Sequence, residues 1–124
     1  MERPLSPLLA LLLAAILLPS APASAQPAPS FRATCGELRR AIEKLDWKEG
    51  ELVTIEVVGT LTLVRHDGAL AYLAMCRAPD PHVLCVSYET NGRKVGEIAV
   101  LTGSYIPRGP DHIQLDPCLH HLPE

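Results

Sequence analysis

The sequence is poor in the residues that several functional classes require. Aromatic side chains are scarce, with one Trp, one Phe and three Tyr in 124 residues. Proteins that hold single-stranded nucleic acid stack bases on aromatic side chains inside a positively charged groove. Here Lys and Arg together number 11 against 14 Asp and Glu, and no basic run occurs. Because phosphate neutralisation supplies much of the affinity for nucleic acid, this balance argues against DNA or RNA as the main partner. No Gly-x-Ser-x-Gly elbow, His-Glu-x-x-His pair or phosphate-cradling loop is present, and no cofactor is implied. The four cysteines include no C-x2-C pair of the kind that structural zinc sites use. The longest apolar run, Leu8 to Leu18, is shorter than the roughly 20 residues needed to span a bilayer.

That run belongs to a leader. Arg3 precedes it, and a small, turn-prone segment follows it and ends Ala23-Ser24-Ala25. A short n-region, an apolar h-region and small residues before a cleavage point are the layout of a secretory signal. The sequence therefore predicts a signal peptide over residues 1–25 and a mature chain beginning at Gln26. Its Ala-, Leu-, Pro- and Arg-rich composition suits a bacterial export signal, which places the mature chain in the periplasm or outside the cell. Losing the leader removes one cation and one anion, so the net charge stays at -3. Cys35, Cys76, Cys85 and Cys118 all lie in the mature part, and an even number in an exported domain reads as disulfides.

The mature chain opens with a proline-containing lead-in over 26–33, expected to be disordered. Thr34 with Glu37 forms a capping box, and Leu38, Ile42 and Leu45 then recur on one helical face. After Gly50 the period changes to two. Val53, Ile55, Val57, Leu61 and Leu63 share one parity, which predicts a long half-buried strand with Gly59 as a bend in its middle. His66-Asp67-Gly68 reads as a turn. A second strand is expected over about 69–76, with Leu73 and Met75 on one face, and Ala78-Pro79-Asp80-Pro81 as a loop. A third strand, 82–89, is read with Leu84, Val86 and Tyr88 on its apolar face. Asn91-Gly92 is a turn signal. A fourth strand covers about 97–106 with Gly103 as a second bend. Residues 107–111 form a loop, and a fifth strand over 112–115 ends at Asp116-Pro117.

One helix and five strands, the first long and bent at glycine, match a small five-stranded OB-like Greek-key barrel. Leu52 to Leu119 resembles the OB-fold domains of exported bacterial proteins. Gly96-Glu97-Ile98-Ala99-Val100-Leu101-Thr102-Gly103 is similar to the G-x-x-V-x-x-x-G entry to their fourth strand, and His112-Ile113-Gln114-Leu115-Asp116-Pro117 to their closing strand. These placements report fold and not activity. The chain departs from the family in having no helix between strands three and four; its helix precedes strand one.

With that barrel in mind, Cys76 and Cys85 are read as lying on one face of a hairpin and bonded to each other. Cys35 and Cys118 are read as stapling the chain ends, a closure worth about 3–5 kcal/mol in the chain-entropy account. Other pairings remain open. OB barrels bind ligands on strands two and three and on the flanking loops. The candidate ligand-binding residues are accordingly His66, Tyr72, Arg77 and Arg108, with the loops His66-Asp67-Gly68 and Arg108-Gly109-Pro110. Arg77, Asp80 and His82 stand in the proline loop, a second contact surface. Trp47 is expected to pack the helix end. His120-His121, with Asp116 and His112, could ligate a metal, but a frayed, solvated C-terminus is the simpler reading. The expectation is an exported, non-enzymatic, disulfide-stabilised domain that binds a protein or small molecule. The alternatives are nucleic-acid or oligosaccharide binding through the barrel face and metal binding by the C-terminal histidines.

Overall fold

The structure, a computed structural model, describes residues 28–124. The expected leader and the cleavage point after Ala25 lie outside the described residues. The chain forms β1 (Arg32–Thr34), α1 (Cys35–Leu45), β2 (Thr54–His66), β3 (Ala71–Met75), β4 (His82–Ser87), β5 (Ile98–Gly109) and β6 (His112–His121). Among the described residues, no helix is long and apolar enough to cross a membrane.

The helix starts where the capping box places it. The Glu37 carboxylate accepts from the Thr34 backbone N–H and hydroxyl, each at 2.9 Å, which satisfies a helix-terminal donor and holds the carboxyl below its ordinary pKa. Leu38 is fully buried, and Ile42 and Leu45 pack against the same core. Asp46, in the left-handed region with φ 50°, ends the helix. Trp47 then meets Tyr105 edge to face at 5.6 Å, and its Nε1–H donates to the Glu51 carbonyl.

The strands run in the order β1-β2-β3-β4-β6-β5, and β5 pairs back to β2. Five strands therefore close an OB-like barrel, with β4 and β6 parallel and the other barrel pairs antiparallel. One strand, β2, serves both sides. Residues Thr54 to Thr60 pair with β5, and Leu61 to His66 pair with β3. Gly59 sits at this handover, as the sequence predicts, but a second reason fixes it. A Cβ there would lie 2.9 Å from the Cys35 sulfur and 3.1 Å from the Met75 sulfur.

The inward face carries Ile55, Val57, Leu61, Leu73, Met75 and Leu101, all essentially without exposure. Leu63 is not among them. A bulge between Leu61 and Leu63 shifts the register, and one extra residue moves the following side chains to the other face. Leu63 turns outward, 37% exposed, and Val64 packs against the core in its place.

Four expectations need correction. Part of the lead-in is ordered: Ser30 N–H donates to Thr54 and Phe31 accepts from Glu56, so Arg32–Thr34 adds a short parallel strand to β2. Strand β5 runs on through Pro107 to Gly109, and β6 continues past Asp116-Pro117 to His121, because register slips at Pro107 and at Gly103 accommodate the extra residues. The third strand is phased the other way. Val83 and Cys85 face the core, while Leu84 and Val86 face out and Tyr88 is 72% exposed.

That phase also overturns the expected pairing of Cys76 with Cys85 and Cys35 with Cys118. The disulfides join Cys35 to Cys76 and Cys85 to Cys118. Cys85 lies opposite Leu73, so Cys76 is three residues, about 10 Å, further along its strand. A disulfide requires Cα atoms within about 7 Å. At the end of β3, Cys76 turns with φ 72° and meets the first turn of α1, with a Cα separation of 5.4 Å. Cys118 faces the core beside Gly103 and reaches Cys85 with a Cα separation of 5.5 Å.

Peptide mapping without reduction is expected to recover Cys35 linked to Cys76 and Cys85 linked to Cys118. A Cys76–Cys85 peptide would refute the β3–β4 register. A Cβ on Gly103 would lie 3.0 Å from both Cys118 Cα and Leu115 Cβ, with the Pro117 carbonyl closer still. Gly103→Ala is therefore expected to cost about 1–3 kcal/mol in urea unfolding. Gly36→Ala, with nothing within 4 Å, should leave stability unchanged or raise it.

Candidate ligand-binding face

Because the barrel closes, its outer surface is a set of lateral rows in which directly paired residues share a face. One row crosses all five barrel strands: Leu63, Ala74, Leu84, Gln114 and Ile106. Ala74 is only 1% exposed although it points outward between core-facing Leu73 and Met75, so larger neighbours cover it. Toward one end lies the row Arg65, Tyr72 and Val86. Toward the other, His82 stands opposite His112, their rings 5.7 Å apart. Leu63, Ala74 and Leu84, on three neighbouring strands, thus give this side of the barrel an aliphatic centre with polar groups toward both ends.

Hydrogen bonds fix much of the polar margin. Arg108 Nε donates to Gln114 at 3.0 Å, and Gln114 Nε2 donates to Asp116 at 3.2 Å. At the far end, Asp67 accepts from the Ala69 and Leu70 backbone N–H groups at 2.9 and 2.8 Å and from the Tyr72 hydroxyl at 3.0 Å. The two backbone donors hold the Asp67 carboxyl below its ordinary range, with the Tyr72 hydroxyl adding to them. The same bond to Asp67 pushes the Tyr72 phenol above its ordinary value.

Of the four residues expected to bind ligand, two lie on this face: Tyr72 toward one end and Arg108 at its margin. His66 closes the β2–β3 turn instead. Its Nδ1 accepts from the Gly68 N–H and its Nε2 donates to the Tyr88 carbonyl, both at 3.0 Å, which occupies both nitrogens. Arg77 is an exposed residue of the β3–β4 turn, and its carbonyl accepts from the Asp80 N–H at 2.9 Å. Sequence reasoning missed Leu63, Leu84, Val86 and Gln114. For β4 the available signal was Cys85 itself, since cysteine is among the most buried residue types.

The C-terminus is ordered rather than frayed. His120 is nearly buried and donates from Nε2 to the Glu89 carbonyl at 2.7 Å. His121, its neighbour on a strand, points to the opposite face and donates to the Leu122 carbonyl. No group of three or more metal-ligating side chains occurs among the described residues.

The larger concavity, an open groove of about 930 Å³, lies elsewhere, between β1, α1 and the β3–β4 turn. Its lining mixes both charge signs, and Arg32 and Arg39 there are already paired with Glu56 and Asp111. No protein-family model matches the chain, and no curated protein matches it.

Burial, and then the proximity of His112, hold the His82 imidazole below its ordinary pKa. The fold favours the neutral ring, so the contribution is complete above the unfolded-state value of about 6.5. It is lost as pH falls from there through the lower folded-state value. The thermal midpoint is expected to fall between pH 7.5 and pH 5, and His82→Gln to flatten that dependence in melts followed by circular dichroism. An unchanged slope in the variant would remove the pair from the account.

Proposed function

We propose that the chain is an exported, non-enzymatic binding domain, periplasmic or secreted by a bacterium, that takes a protein partner in extended form across the outer face of β3, β4 and β6. The reading of residues 1–25 as a signal peptide, and two disulfides, which persist in oxidising compartments, support the location. The resemblance to OB-fold domains of exported bacterial proteins supports the choice of face. The observation that carries the reading is the row Leu63, Ala74 and Leu84 on three neighbouring strands, an aliphatic patch on the outside of a barrel whose inside is already filled. Nucleic acid suits this face poorly. The net charge is -3, Asp67 and Asp116 stand at its margin, and aliphatic side chains offer no stacking platform.

The test is a titration of the ¹⁵N-labelled mature domain with an alternating Leu-Asn hexapeptide. Shift changes are expected on residues 63–65, 72–74, 84–86 and 112–116, and Leu84→Lys is expected to abolish them while the domain stays folded. Changes confined to the groove beside α1, or none at millimolar peptide, would overturn the assignment.

A further inference from the structure

Three of the five histidines spend ring nitrogens on backbone groups: His66, His120 and His121. The two left, His82 and His112, form no ring hydrogen bond among the described residues. They stand directly opposite one another on the outer face, with Arg108 two residues along from Ile106 on the adjoining strand. The β3–β4 turn brings Arg77 and Asp80. The β5–β6 turn brings Asp111, but Arg39 of α1 holds that carboxylate at 2.7 Å. Glu43 of α1 lies with Arg39 on the cavity behind Pro81. Asp116, further along β6, accepts from Gln114 at 3.2 Å. Asp111 and Asp116 are therefore engaged, while the two imidazoles and Arg108 present donors beside Leu84 at the edge of the aliphatic patch.

Resting on the face assigned above, we infer that His82, His112 and Arg108 form a carboxylate-binding subsite, and that the occupant is an acidic extended peptide segment whose apolar side chains lie on Leu63 and Leu84. A neutral imidazole donates from one nitrogen, and a protonated one from both. Two facing imidazolium groups repel each other, and an anion between them removes that cost. Burial and the neighbouring ring both oppose protonation of His82, so the free domain protonates that ring reluctantly and a bound carboxylate promotes it. By linkage, the segment binds more tightly as the pH falls through the histidine range. A peptide fits better than a lipid surface, because the strip is shallow: Val86 is 8% exposed and Ala74 is 1% exposed, and an acidic residue stands at the other end.

The experiment compares fluorescein-labelled Leu-Asp and Leu-Asn alternating hexapeptides by anisotropy against the mature, oxidised domain at pH 7.5 and 5.5. The Leu-Asp peptide is expected to gain about tenfold in affinity at the lower pH, within the range that linkage to one or two protons allows. The Leu-Asn peptide should change little. The double variant His82→Gln, His112→Gln should lose the acid gain yet still bind Leu-Asn, which shows that it is folded and that the face is intact. An equal pH response from both peptides, or a gain that persists in the double variant, would overturn the subsite and leave the face standing. Failure of both peptides would remove the face as well. Stronger acid-dependent binding to phosphatidylglycerol vesicles or to a single-stranded oligonucleotide than to Leu-Asp would overturn the peptide assignment.

Discussion

The bond between Cys35 and Cys76 ties the first turn of α1 to the end of β3, and its sulfur occupies the space that a side chain at position 59 would need. A barrel of this size has an open end, where Tyr105 and Ile113 would meet water. An 11-residue helix is marginal alone, and only Leu38 of its apolar face is fully buried. The helix stays over that end because it is tied. The disulfide holds its start. Arg39 donates to the Pro79 carbonyl at 2.8 Å and pairs with Asp111 at 2.7 Å, joining the helix to two inter-strand turns. Trp47 packs on Tyr105 just beyond its end. Closing a loop across 41 residues is worth about 4 kcal/mol in the chain-entropy account, comparable to much of the stability of a small domain. Glycine at 59 is thus required by the staple as much as by the bend.

The second disulfide works inside the barrel. Cys85 and Cys118 join β4 to β6, the one parallel pair among the barrel strands, which no hairpin connects and which must be brought together over a long loop. Gly103 completes the arrangement by letting the β6 backbone approach β5. These strands carry the outer rows. Fixing them in register holds Leu84, Gln114, His82 and His112 in place, and for the proposed binding face such preorganisation lowers the ordering cost of binding.

The legible part of the fold was whatever rests on local chemistry. Thr34 and Glu37 located the helix start, Gly59 and Gly103 the bends, and alternation the five barrel strands and their closure. What failed needed long-range register. Both parities of 82–88 are apolar, so alternation alone could not choose the inward set, and taking cysteine for the outer phase sent the disulfide pairing wrong. The lead-in strand has only three residues, and its partners lie more than twenty residues away. Within the candidate face, Tyr72 and Arg108 fall where the sequence reading put them. The hydrogen bonds of His66 form only once the turn closes, so no local signal shows them.

The outer face owes its apolar character to a departure from regularity. Core packing dictates the inward residues of a barrel strand, and the outward ones are free to be polar. Strict alternation from Leu61 would have placed Leu63 inside. The bulge hands that place to Val64 and leaves a leucine at the surface, beside Ala74 and in line with Leu84. Leaving Leu63 37% exposed gives up part of the roughly 1.5–3 kcal/mol that full burial of a leucine contributes. Bulges concentrate beside functional sites because they re-aim side chains. Here the re-aimed side chain completes an aliphatic patch beside which two imidazoles stand with no ring hydrogen bond among the described residues. Barrel closure requires neither feature, and a partner with apolar and anionic groups along one extended edge would use both.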